Sequence, residues 1–169
     1  MVIEASATAK AEPLAFLSGW AQAADGHHPA QPHPDGAGLR AAMAGALRAA
    51  QIRPSDVDFL HAHATSTPAG DRAEALAIDS LFSPVRPAVT STKALTGHAL
   101  SMAGLLGAAV GVLGLREQFI PGQAHLVEAL PEGKNLHFPR ESHAAKVRHV
   151  LNNASGFGGA NVCHVLARA

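Results

Sequence analysis

The 17 residues from Ala99 to Leu115 carry no charge, and about half of them are Gly or Ala. A helix of this composition has no polar side to turn toward water, so it must be covered all round. The stretch is short for a membrane span. Its Gly107-xxx-Gly111 spacing resembles a membrane dimer motif, but small residues serve close packing in a soluble core equally well. It is read as a helix buried on all sides in a soluble layered protein, with no membrane span. A sheet on each face would give it that cover.

The rest of the chain alternates strands and helices. Val2-Ile3-Glu4 reads as the end of a strand with nothing before it, and Ala5 to Ala11 favours a short helix. Leu14 to Ala21 has strand character around Phe16, Leu17 and Trp20. Asp25 to Gly38, broken by Pro29, Pro32 and Pro34, is an irregular loop. Gly38 to Ala50 is helical, with Leu39, Met43, Ala46, Leu47 and Ala50 on one face and Pro54 beyond its end. Val57 to Ala62 is a buried strand. Thr65-Ser66-Thr67-Pro68 starts a helix running to about Phe82, with Asp71 and Glu74 near the positive end of its dipole. Ala88 to Thr92 is a strand. After the apolar helix come Phe119 to His125, an extended piece at Asn135 to Phe138 and a strand at Val147 to Asn152. A glycine turn at Gly156 to Gly159 leads into a last strand, Asn161 to Ala167. This order predicts an α/β architecture.

Composition excludes several classes of function. Apolar residues make up 47% of the 169 and charged residues 15%, enough for a buried core. Lys plus Arg and Asp plus Glu are 13 each, and a net charge of zero gives no footprint for nucleic acid or an anionic membrane. A single Cys excludes an internal disulfide framework and a multi-Cys zinc site, and fits the reducing cytoplasm. The N-terminus lacks a basic region followed by an apolar run, so no targeting segment is visible.

Four polar clusters stand at strand ends or helix starts. They are His61 to Pro68 with Asp71 and Glu74 behind, Ser91 to His98, Asn152 to Asn161, and the His27, His28 and His33 loop. Neutral imidazoles can donate hydrogen bonds to a developing oxyanion. A Gly-rich turn lets backbone N–H groups approach a substrate. Thr65 and Thr67 could bind an extended polar ligand or merely cap a helix. His61 and His63 are spaced like metal ligands on a strand, but no third ligand is obvious, so no metal is expected. Carbonyl chemistry without a metal is the reaction class these groups suit.

Three of the clusters carry a family resemblance. His63-Ala64-Thr65-Ser66-Thr67-Pro68-Ala69-Gly70-Asp71, Ser91-Thr92-Lys93-Ala94-Leu95-Thr96-Gly97-His98 and Asn153-Ala154-Ser155-Gly156-Phe157-Gly158-Gly159-Ala160-Asn161 resemble, in order and spacing, the C-terminal signatures of β-ketoacyl-acyl carrier protein synthases of the elongating, ketosynthase II type. The resemblance extends over nearly the whole chain. It implies one domain over 1–169, the C-terminal half of a thiolase-like layered α-β-α-β-α sandwich, with a mixed sheet and the Gly/Ala-rich helix buried between two sheets.

It also implies a reaction, decarboxylative Claisen condensation in fatty acid or polyketide assembly. His63 and His98 would stabilise an enolate oxygen, and Lys93 would organise the site in a pair with Glu74. Thr65 and Thr67 would hold the phosphopantetheine arm of acyl carrier protein. The Phe157 N–H would be half of an acyl oxyanion hole, and its ring would gate the acyl pocket. Gly158 and Asn161 belong to the same substrate-binding turn. No cofactor is bound by the chain itself; phosphopantetheine arrives as the substrate's arm. The expected partners are acyl carrier protein and a Cys-bearing ketosynthase half or partner subunit, in an oligomer. A chain-length-factor-like binding subunit is the alternative.

Some positions depart from the family pattern. Gly is commoner than Ala64, a second Phe is usual at Ser155, and His61 usually reads Asn. The family's nucleophilic Cys lies in an N-terminal half that these residues do not contain. Cys163 lies inside the last strand, where it reads as a small core residue.

Overall fold

The computed structural model of the chain describes residues 2–169. One mixed sheet of five strands forms its centre, in the order β1-β7-β6-β2-β3. These strands are β1 (Phe16–Ala24), β2 (Phe59–His61), β3 (Ala88–Thr90), β6 (His149–Gly156) and β7 (Ala160–Ala167). β2 runs parallel to β3 and to β6, whereas β7 is antiparallel to both β6 and β1. A small second sheet pairs β4 (Phe119–Ile120) with β5 (His143–Ala144).

Helices cover the two faces of the sheet. α1 (Ala37–Ala49) and α2 (Pro68–Phe82) pack on one. α1 buries Leu39, Ala42, Met43, Ala46 and Leu47, the i, i+3, i+4 stripe of an amphipathic helix. They meet Leu60, Val89, Leu151, Cys163 and Val165 of the strands. Adjacent strand residues, Phe59, Ala88, Val150 and Leu166, point the other way, toward Ala108 and Leu115 of α4 (Ala103–Glu117). A short helical turn, α3 (Lys93–Thr96), follows β3. The N-terminus of α2 matches expectation: Thr67 is extended and Pro68 occupies the first turn.

Three expectations are corrected. Val2 to Glu4 is exposed and forms no strand, because no neighbouring strand offers it a ladder. Ala5 to Ala11 forms one turn, closed by Thr8 N–H to Ala5 O, rather than a helix. α4 is not covered all round. It lays Ala103, Gly107, Ala108, Gly111, Gly114 and Leu115 on the sheet, while Leu105 and Leu113 on its outer side are 44% and 49% exposed. Among the described residues no second sheet covers the outer side of α4. By length and composition alone Leu100–Glu117 would suffice to cross a membrane.

Candidate active site

The register of the sheet brings the three motifs together. His61 pairs with Thr90 of β3 on one side and Asn152 of β6 on the other. These strands are parallel, so the polar clusters that follow β2 and β3, and the one that begins within β6, emerge toward the same edge of the sheet.

His63 and His98 meet there. Their ring centroids lie 5.5 Å apart at an interplanar angle of 85°. His63 is half-buried and His98 is exposed. Burial, with the nearby Lys93 and His98, lowers the pKa of His63 from its ordinary value, against an opposing pull from Glu74. Lys93 is half-buried, and its pKa is lowered by burial, opposed by Glu74 and Asp71. The site thus disfavours protonation of His63, while Glu74 and Asp71 support the charge of Lys93 against its burial.

Glu74 is buried, and its carboxylate is fully engaged. Oε1 accepts from the His63 N–H at 2.9 Å and from Asn153 Nδ2 at 3.1 Å, and Oε2 accepts from the Ala64 N–H at 2.8 Å. A buried carboxylate needs this many donors to offset its lost hydration. The expected Lys93–Glu74 ion pair is not formed; among the described residues, the ion pairs are Arg53–Asp56 and Arg72–Glu132. Glu74 acts on Lys93 only through the field. It fixes the backbone of His63 directly, a function the sequence does not announce. Asn153 is the partner that the sequence reading misses; its place in the third motif was the available signal.

Thr65 and Thr67 lie beside the histidine pair, with their hydroxyls 3.3 Å apart. Thr67 makes no side-chain cap bond to α2, so capping does not explain it. A cleft of about 50 Å³ is lined by His63, Thr65, Asp71, Glu74, Ser155 and Asn161, among others. That is room for a water or two, so the cleft within this chain is not a finished substrate pocket.

Ser155 and Asn161, which flank the glycine turn, share the cleft with His63. Phe157 is 87% exposed, so its ring closes over nothing in this chain. The Gly158 N–H donates to Pro29 O at 2.7 Å, which docks the turn on the His27–His33 loop. Gly159 has φ +73° and sits against Asp25, where a Cβ would lie 2.8 Å from the Asp25 Cβ. Asn161 is buried, and both of its donors are used, by Asp25 Oδ1 at 2.9 Å and Gly159 O at 3.1 Å. Ser155 Oγ donates to its oxygen at 2.8 Å. Its amide therefore holds the turn in shape and has no donor left for a ligand. In the loop, His27 and His28 are exposed, and the His27 and His33 rings lie 5.3 Å apart.

His61 borders Gly107 of α4 and Thr92, whereas the ring of His63 meets that of His98. Cys163 is wholly buried, its thiol pushed up in pKa by burial and donating to Asn153 Oδ1 at 3.1 Å. It is a core residue of β7, as its position in sequence indicates.

The same motifs recur in known proteins. The profile of the beta-ketoacyl synthase C-terminal domain matches residues 14–127. The chain is 40% identical over 157 residues to the 3-oxoacyl-acyl-carrier-protein synthase 2 of Coxiella burnetii, covering 91% of this chain and 38% of that protein. It is 38% identical over 165 residues to the enzyme of the same name from Mycobacterium leprae, covering 96% of this chain and 39% of that one. Among solved structures, it is similar to the ishigamide ketosynthase/chain length factor, with a TM-score of 0.87, 30% identity, and coverage of 92% of this chain and 38% of that one. It is also similar to a ketosynthase in complex with its chain length factor from Xenorhabdus doucetiae, with a TM-score of 0.84, 30% identity, and coverage of 95% and 40%. The chain spans less than half the length of these relatives. With its mixed sheet, its motif order and these matches, the chain belongs to the β-ketoacyl synthase family, as the C-terminal domain of its thiolase-like fold.

Proposed function

We propose that the chain supplies the histidine-bearing half of an elongating β-ketoacyl-acyl carrier protein synthase in fatty acid or polyketide biosynthesis. The carrying observation is the His63–His98 pair, with rings 5.5 Å apart in the field of Lys93.

The reaction begins with an acyl chain carried as a thioester on a Cys thiol. Malonyl on the phosphopantetheine arm of acyl carrier protein then loses carbon dioxide. The electron pair of the broken C–C bond passes to the thioester oxygen as an enolate. The enolate carbon attacks the acyl carbonyl, a new C–C bond forms, and the Cys thiolate leaves. His63 and His98 each direct one N–H at the enolate oxygen, and neutral rings suit that donation. Lys93 adds positive potential to the same space. Thr65 and Thr67 turn their hydroxyls to the arm. The Phe157 N–H serves the acyl oxyanion, while Gly158 and Asn161 keep its turn in shape.

The thiol comes from a segment or chain beyond these 169 residues, since Cys163 is buried. The open apolar surface supports a partner half: Trp20 of β1 is 58% exposed, and Leu105 and Leu113 on the outer side of α4 are 44% and 49% exposed. We assign the assembly to the cytoplasm, as an oligomer that docks acyl carrier protein.

A second reading is a chain-length-factor-like binding subunit. It is favoured by one observation, that the similar solved structures include ketosynthases together with chain length factors. The test is to purify the chain alone and with a candidate Cys-bearing partner, and to supply acyl- and malonyl-carrier protein. Condensation only with the partner supports the synthase half. A stable complex without condensation supports the binding subunit. Condensation by the chain alone overturns both.

A further inference from the structure

His61 takes no part in the condensation chemistry described above, yet it stands where the three motif-bearing strands meet. It is 2% exposed and lies in register with Thr90 and Asn152. On one side its Nε2 is 3.3 Å from Thr92 Oγ1. Thr92 opens the α3 turn, its carbonyl accepting from the Leu95 and Thr96 N–H groups, and Lys93 is the next residue. On the other side, His61 Nδ1 and Asn152 Oδ1 are both buried without a hydrogen-bond partner. Both border Gly107 of α4, where a Cβ would lie 2.8 Å from the Nδ1 and closer still to the amide oxygen. Asn152 Nδ2 donates to Gly104 O, also of α4, at 3.2 Å.

Leaving two buried polar atoms unpaired side by side is costly. One proton placement makes the two complementary, a donor facing an acceptor. With the proton on Nδ1, the ring donates toward Asn152 Oδ1, and the bare Nε2 accepts from the Thr92 hydroxyl. We propose that His61 is a positioning residue for Lys93: in its Nδ1–H tautomer it ties the turn that carries Lys93 to β6 and α4, through Thr92 and Asn152. This placement needs a neutral ring, and burial together with Lys93 favours one. The ionisable groups facing it are Lys93 from the α3 turn and His164 from β7; α4 carries none before Arg116. Asn at this position would place its amide where Nδ1 stands and could not also reach Thr92.

The proposal deepens the role given to Lys93 and rests on it, but its test needs no turnover. Nitrogen NMR of labelled imidazoles in the 169-residue chain reads the tautomer, and carbon NMR of the Lys93 ε-carbon follows its titration. The expected result is a protonated Nδ1 and a bare Nε2 from about pH 8 to about pH 5.5. His61→Asn is expected to move the Lys93 titration to higher pH. His61→Gln, whose Oε1 takes the place of Nε2, is expected to restore it. An Nε2–H tautomer overturns the proposal, as does a Lys93 titration unchanged in His61→Asn. Should His61→Asn fail to fold, the tautomer of the unmodified chain decides. If the NMR results hold and the assembled protein still fails to condense, the functional reading fails and this one stands.

Discussion

Glu74 and Asn153 are joined by a hydrogen bond of 3.1 Å that links α2 to β6 beneath the histidine pair. The bond continues in both directions. Cys163 donates to Asn153, and the His63 and Ala64 N–H groups donate to Glu74. The backbone of His63 is therefore held from the core, whereas His98 reaches it from a turn that the sheet places alongside.

Glu74→Gln tests this support. The amide keeps the size, but its NH₂ replaces an acceptor that one of the three donors needs. Losing a charged acceptor and leaving an N–H unpaired should cost about 2–4 kcal/mol. Urea unfolding at pH 7 measures it. A loss under about 0.5 kcal/mol, the ordinary scatter of surface substitutions, would contradict the network.

Gly107→Ala tests the contact between α4 and the sheet. Alanine gains about 1 kcal/mol in helix propensity over glycine. Its Cβ would collide with Asn152 and press on His61 Nδ1 at 2.8 Å, and such overpacking costs about 1–3 kcal/mol. Net destabilisation is expected in thermal unfolding, and a stabilised variant would show that α4 sits farther from β6.

The pH dependence of stability should carry the mark of His61. Burial and Lys93 hold its pKa down at about 4, against an ordinary value near 6.5. The unfolded chain thus binds the proton first as pH falls. The stabilisation is complete above about pH 6.5 and is lost progressively toward pH 4. Between pH 7 and pH 4 the protein should lose about 3 kcal/mol more than His61→Gln, which cannot titrate there. Parallel urea titrations of the two proteins check this, and equal losses would mean that the ring is solvated.

Cys163 should be inert in the folded chain. It is wholly buried and its thiol is pushed up in pKa, so native protein should react with iodoacetamide only as fast as it unfolds. Adding urea past the midpoint should release full labelling. Rapid labelling of native protein would place the thiol at the surface and reopen its role as a nucleophile.

Much of the fold is legible in the sequence because local signals agree there. Val57 to Ala62, Ala88 to Thr92 and Val147 to Asn152 are apolar runs that each lead into a polar cluster, and all three prove to be neighbouring parallel or register-matched strands. Pro68 marks the start of α2 to the residue. Pairings across the fold are less legible. Glu74 finds Asn153 rather than Lys93 because the fold brings together two side chains that lie 79 residues apart in the chain. Asn161 is absorbed by Asp25 and Ser155 for the same reason. The apolar run of α4 does announce a need for cover on every side, but it cannot say that the cover is missing from this chain. Val2 to Glu4 has strand-forming residues and no strand to pair with.

The central claim is that His63 and His98 act together on one enolate oxygen, and carbon dioxide release tests it most directly. The chain is assembled with a Cys-bearing ketosynthase half, malonyl-carrier protein is supplied, and His98→Ala is compared with the unmodified protein. Removing one donor to a developing oxyanion should lower decarboxylation by about 10²–10³-fold, with the complex still formed. Undiminished release of carbon dioxide from the His98→Ala assembly would contradict the account.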